Sequence, residues 1–229
     1  MAFPITHLCV AGGMLEHVAI ELQDQFVLGS IAPDAVHFRK QLMGSDALKS
    51  ELGPAKKVTH LCPVSDERWG QVTNNDAWIE SVKKFLSSNL DNPFALGYAV
   101  HVLTDIYNNK GLWKDFITKY PQEAMKGYDS GYYQDLRAID MRIYADIYEN
   151  SRAHKLLACA TPVNVPGLVV ENELAKIQHN LLHVQYANVK SNTPVKEEYQ
   201  YVTYKQMLEF IDGAVQFCLA NVSCYSHKF

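Results

Sequence analysis

The chain predicts an all-α protein, a multi-helix bundle forming one domain over residues 1–229. Three observations lead there. Apolar residues recur at helical spacing wherever the pattern is clear, strand-like alternation is scarce, and one central segment is apolar almost all round, as a buried helix must be. With 229 residues and 48% hydrophobic content there is enough material for one sizeable core.

The elements follow in order. Gly29 through Asp34 read as a turn, and residues 40–57 as a polar loop punctuated by Gly44 and by Gly53 and Pro54. The first clear helix is expected from Asn75 to Ser88: Asn74, Asn75 and Asp76 offer a capped start, and Trp78, Val82, Phe85 and Leu86 share a face. Asp91, Asn92 and Pro93 stop it and start the next helix, because proline suits a first turn. That next helix, Phe94 to Asn108, is the one that is apolar all round, with His101 and Asp105 as its polar exceptions. A stripe of Leu136, Ile139, Ile143, Tyr144, Ile147 and Tyr148 predicts a long helical segment from Gln134 to Leu157, closed by Pro162 and Pro166. Further helices are expected from Glu171 to Val189 and from Tyr204 to Asn221, the last burying Met207, Phe210, Ile211, Val215 and Leu219.

Composition removes several function classes. A net charge of -4, from 21 basic and 25 acidic residues, gives no electrostatic case for nucleic acid or an anionic membrane. The first residues lack the charged and apolar regions of a signal peptide, and no stretch approaches membrane-spanning length, so a cytoplasmic location is expected. Cys9, Cys62, Cys159, Cys218 and Cys224 form no CxxC pair and are expected to be reduced and mostly buried. The tetrapeptide Thr-His-Leu-Cys occurs at residues 6–9 and 59–62, too short a match to argue duplication.

The chemistry starts at His101 and Asp105. Residues four apart on a helix project from one face and can reach one ion together, and Gly97 one turn earlier leaves room beside them. The bland alternative is a His-Asp hydrogen bond that satisfies both groups. His7, Asp34 after Pro33, and His60 add donors of the same kind, a nitrogen and oxygen mix that suits zinc and also manganese or iron. Each has a structural alternative: His7 at a frayed terminus, Asp34 as a turn residue, His60 at a helix end. His17 and His37 compete with them, and His179 with His183 is a second i, i+4 pair. The HExxH pattern of zinc metalloproteases is absent, as is the His-Asp dipeptide of HD-type phosphohydrolases. Arg39 is a candidate phosphate contact or an exposed charge; Trp69, Tyr98 and Tyr107 are candidates for pocket walls or for core.

Taken in order, Thr6-His7, Gly29 to Asp34, Thr59-His60 and Gly97 to Asp105 resemble the zinc-dependent phospholipase C family, in particular its short bacterial intracellular-type members of unassigned substrate. The resemblance covers the first half of the chain; the second half matches only in being helical. It implies a helical bundle of the phospholipase C and P1 nuclease type with ions held between helices. Asp34, His60, His101 and Asp105 would bind one metal, and His7 with a bridging Asp105 a second. Asp34 would orient or deprotonate the attacking water in hydrolysis of a lipid or small-molecule phosphate ester. In two respects the chain departs from the family. No signal or pro-segment pattern precedes His7, so a processed first residue is not expected as a ligand, and the later HxxxE pair of the family's third metal has no counterpart after His101. The expectation is therefore a one- or two-metal hydrolase of phosphate esters, with one or two zinc ions; the alternative is a non-catalytic helical protein that retains a partial metal or ligand site.

Overall fold

The computed structural model describes residues 3–39, 54–63, 70–189 and 198–223. Among them every regular element is helical, apart from an isolated pairing of Val165 with Val169. The helices are α1 (Pro4–Met14), α2 (Gln23–Gly29), α3 (54–59), α4 (Asn75–Ser87), α5 (Pro93–Lys110), α6 (Leu112–Lys119), α7 (Pro121–Ala124), α8 (Gly131–Ile143), α9 (Arg152–Cys159), α10 (Glu171–His183) and α11 (Tyr204–Val222). A 3₁₀ turn spans Ala32–Phe38.

Helix α5 is the axle of the bundle. It packs against α1, α2, α4 and α11, and nearly every side chain from Pro93 to Ile106 is buried, which is why the sequence is apolar on all faces there. Asn92 caps it by accepting a hydrogen bond from the Ala95 amide at 3.2 Å, and Pro93 occupies the first turn, as expected. Asn74 caps α4 in the same way. At the start of α11, Thr203 and Gln206 form a capping box. The apolar side chains buried by these helices, from Ile5 to Val222, join in one core.

Differences from expectation have local causes. The segment predicted to be continuous from Gln134 to Leu157 is broken: α8 widens into a π turn at Tyr144–Tyr148, and Ser151 restarts the helix by accepting from the His154 amide at 3.1 Å. α10 ends at His183 rather than Val189. The turn read at Gly29 to Asp34 is the end of α2 followed by the 3₁₀ turn, and residues 54–57, the end of the stretch read as loop, belong to the helix over 54–59. No helix was expected at the N-terminus, where Gly12 and Gly13 weaken the signal and burial of Ile5, Leu8, Val10 and Ala11 spreads around the axis. Asp140 of α8 supports the start of this α1 helix by accepting from the Ile5 amide at 3.2 Å. Of the described cysteines none is disulfide-bonded, and Cys218 alone is fully buried; Cys9 and Cys62 are half-buried and Cys159 is exposed. No helix of the described residues is long and apolar enough to cross a membrane.

Candidate metal centre

Two glycines set the position of the first ligands. A Cβ on Gly29 would lie 2.1 Å from the Phe94 carbonyl oxygen, and one on Gly97 would lie 1.9 Å from that of Phe26. The backbones of α2 and α5 therefore touch, a use of Gly97 different from the expected open space beside His101. This contact brings the Ser30 carbonyl to His101, whose Nδ1 donates to it at 2.7 Å. Asp105 follows one turn later, also buried.

His60 arrives from the end of α3. Its Nδ1 donates to the Lys56 carbonyl at 2.9 Å, one turn back on the same short helix. The corner is pinned from two sides: the Trp78 indole of α4 donates to the His60 carbonyl at 2.7 Å, and the Tyr98 hydroxyl of α5 donates to that of Thr59. Asp34 comes from the 3₁₀ turn behind Pro33. His7 lies in the first turn of α1, buried rather than frayed, with its ring stacked on that of His101 at 3.7 Å between centroids.

All five expected residues thus converge. His60 Nε2 stands 3.3 Å from His101 Nε2, 3.5 Å from Asp34 Oδ1 and 3.6 Å from Asp105 Oδ2, while His7 Nε2 is 3.6 Å from Asp105 Oδ1. These separations match the edges of a tetrahedron with metal–ligand bonds of about 2.0–2.2 Å, which are about 3.3–3.6 Å long. Two overlapping groups can each hold a metal ion, His7 with His101 and Asp105, and Asp34 with His60 and His101.

The protonation pattern favours a cation there. A carbonyl oxygen only accepts, so Nδ1 carries the hydrogen on both His60 and His101, and in the neutral rings their Nε2 lone pairs face each other. Burial lowers the pKa of His60 to about 4, with Asp34 opposing, and burial together with His101 lowers that of His7 to about 3. Protons are thereby disfavoured where lone pairs crowd. Both ring nitrogens of His7 are buried without a hydrogen-bond partner, a costly state that a bound cation relieves at one of them. Burial works against ionising Asp34 and Asp105, yet both carboxyls lie below the ordinary range. Lys56, His37 and His60 face Asp34, and the three clustered histidines face Asp105.

No family model, curated protein or solved structure is found to match the chain. The geometry therefore carries the functional reading.

Among the competing residues, His37 reaches Asp34 Oδ1 at 3.5 Å from the edge of the cluster. His17 is exposed after α1, as is Glu21 four residues on, and His179 and His183 are exposed on α10, outside the cluster. Arg39 fills neither expected role: its guanidinium pairs with Glu173 at 2.9 Å and with the Leu168 carbonyl at 2.7 Å, tying the 3₁₀ turn to α10. Tyr107 packs on Phe210 and Phe217, and Trp69 lies outside the described residues. Sequence reasoning missed Lys56, which is buried with its ammonium 3.2 Å from Asp34 Oδ1. Its only signal is a position one turn before His60, in a stretch that reads as loop. A cleft of about 290 Å³ opens over this end of the cluster, with Asp34, His37 and Lys56 in its lining.

Proposed function

We propose that the chain is a metal-dependent hydrolase of phosphate esters, with one or two zinc ions in the His and Asp cluster. The observation that carries the reading is the opposed pair of imidazole Nε2 atoms at 3.3 Å, each ring fixed by a backbone carbonyl and flanked by buried carboxylates, one of which, Asp34, lines a cleft. Nitrogen and carboxylate donors at these spacings suit zinc, with manganese or iron as the other fits. The order of His7, Asp34, His60, His101 and Asp105 in the chain, which resembles that of zinc-dependent phospholipases C, supports phosphate esters as substrates. A third metal site is not proposed, since His179 and His183 stand apart on the surface.

A divalent ion in such a cluster supplies Lewis-acid polarisation of a phosphoryl oxygen and acidifies a water. The protein's own groups do the rest. Ser30 and Lys56 carbonyls hold the two rings in the tautomer that presents Nε2. Asp34, with 13% of its side chain exposed, is the ligand-set carboxylate that lines the cleft, and it is the group that orients or deprotonates the attacking water. Lys56 keeps that carboxylate ionised and offers the substrate a positive charge.

Elemental analysis of untagged protein tests the centre. One to two equivalents of zinc, manganese or iron, lost in both His101→Ala and Asp105→Ala, are expected. Metal-free protein that takes up no added ion would sink the reading. Metal at full stoichiometry without turnover of any phosphate ester selects the non-catalytic alternative, whereas loss of turnover in Asp34→Asn with metal retained supports the enzyme.

A further inference from the structure

We infer that the cleft over Asp34 seats the non-reacting part of the substrate, and that this part is one small apolar group, a single ring or short alkyl chain; the substrate class rests on the phosphoesterase reading above. Charge in the cleft is segregated. Among the described residues that line it, the ionisable groups near the metal cluster gather on one carboxylate: Lys56 and His37 each reach Asp34 Oδ1, at 3.2 and 3.5 Å. The remainder of the lining is chiefly hydrocarbon and ring: Phe3 and Pro4 from the start of α1, Phe38, Tyr128, Tyr133 and, from α10, Ile177 and Leu181. A phosphoryl group placed at the charged end therefore sends its substituent along an apolar wall.

Among the described lining residues the side-chain amides at the rim are already engaged, which leaves the Tyr128 and Tyr133 hydroxyls as the neutral polar groups. Asn180 Nδ2 donates to Gln185 Oε1 at 3.0 Å, and Gln185 Nε2 donates to the Tyr186 hydroxyl at 2.8 Å. A sugar or glycerol substituent would give up water there with little to replace it. A ring meets better partners, because Tyr128 and Tyr133 stand 4.8 Å apart between centroids, and Phe3 lies 6.2 Å from Tyr133. The volume, about 290 Å³, is at the lower edge of the range of about 300–1,000 Å³ for sites that hold drug-sized molecules. One ring or a short chain has room there, whereas the paired acyl chains of a diacyl lipid exceed the volume bounded by the described residues.

Binding of two non-hydrolysable probes, phenylphosphonate and methylphosphonate, to the metal-loaded protein by calorimetry tests the inference apart from turnover. Phenylphosphonate is expected to bind at least about tenfold tighter, because the ring leaves water for the cleft. In Tyr128→Ser, at a position 49% exposed and so tolerant of change, and in Phe38→Ser, the preference is expected to fall to about threefold or less with inorganic phosphate affinity unchanged. Equal binding of the two probes, no binding of either, or a preference untouched by both substitutions overturns it. KM values for phenyl phosphate and glycerol 3-phosphate separate the two claims, since rates alone also reflect the better phenoxide leaving group. Turnover with the lower KM for phenyl phosphate supports both, and equal KM values on the two esters overturn the cleft assignment while leaving the hydrolase intact. Hydrolysis of neither, with the phenyl preference retained, overturns the hydrolase alone.

Discussion

Lys56 shows how one residue can link the metal-free and metal-bound states. A buried carboxylate needs a counter-charge, and at Asp34 Oδ1 the lysine ammonium supplies it at 3.2 Å. Replacing it by methionine keeps the aliphatic volume and removes the charge. In chelated protein Lys56→Met is expected to lose on the order of 3 kcal/mol of stability, as breaking a buried pair does. Saturating zinc should restore most of that loss, because the ion becomes the counter-charge of Asp34. Urea unfolding with chelator and with zinc measures both; an equal loss in the two conditions would show that Lys56 acts on packing alone.

At the scale of elements, the contact of α2 with α5 governs the site. Gly29 and Gly97 each face the other helix's backbone, which cannot give way as a flexible side chain would. Gly97→Ala is therefore expected to cost about 3 kcal/mol or more through overpacking, despite the gain in helix propensity. It should also lower metal content, because separating the helices withdraws the Ser30 carbonyl from His101. Gly12→Ala is the control: its Cβ would meet Ala153 at an ordinary 3.5 Å, and metal content should match the parent. Thermal melts together with metal analysis of the two variants decide the matter, and a stable, fully loaded Gly97→Ala protein would refute the account.

For the whole molecule, stability against pH reflects three buried groups with opposing signs. His7, near 3, and His60, near 4, lie below the ordinary histidine value of 6.5, chiefly through burial. Their contribution is present above pH 6.5 and is lost as pH falls toward these values, since the unfolded chain takes up two protons that the folded one refuses. Asp140 runs the other way. Burial, opposed by the Tyr186 hydroxyl and the Ile5 amide, lifts it from 3.8 to about 7, so its contribution is full below 3.8 and is lost as pH rises through 7. Asp34 and Asp105, both lowered, respond below this window. From pH 6.5 down to 4 two protons thus oppose folding and one favours it, a net loss on the order of 1.4 kcal/mol per pH unit from these groups in chelated protein. Asp140→Asn, which keeps an acceptor for the Ile5 amide, should about double that slope. Denaturant titrations at pH 4.5, 5.5 and 6.5 read the difference, and parallel slopes would contradict it.

The boundaries of α4, α5 and α11 and the His101–Asp105 pair could be read from residues alone because they depend on neighbours within a few positions: Asn92 and Pro93 start α5, and one turn separates the two ligands. The burial of α5 was legible for the same reason, its apolar residues leaving no face for water. Lys56, the break at Ser151 and the helical start of the chain were not legible, because partners distant in sequence decide them: Asp34 for the lysine, packing around Tyr144–Tyr148 for the break, Asp140 for α1. The sequence by itself determined an all-helical chain and a set of His and Asp residues able to bind metal. Only the tertiary structure decided which histidines join, bringing His7, His60 and His101 together and leaving His17, His179 and His183 outside. The reason is that ligand convergence depends on how closely helices approach. Here that is set by backbone contact between Gly29 and Gly97 and by the Trp78 and Tyr98 hydrogen bonds at the end of α3, none of which has a local signature.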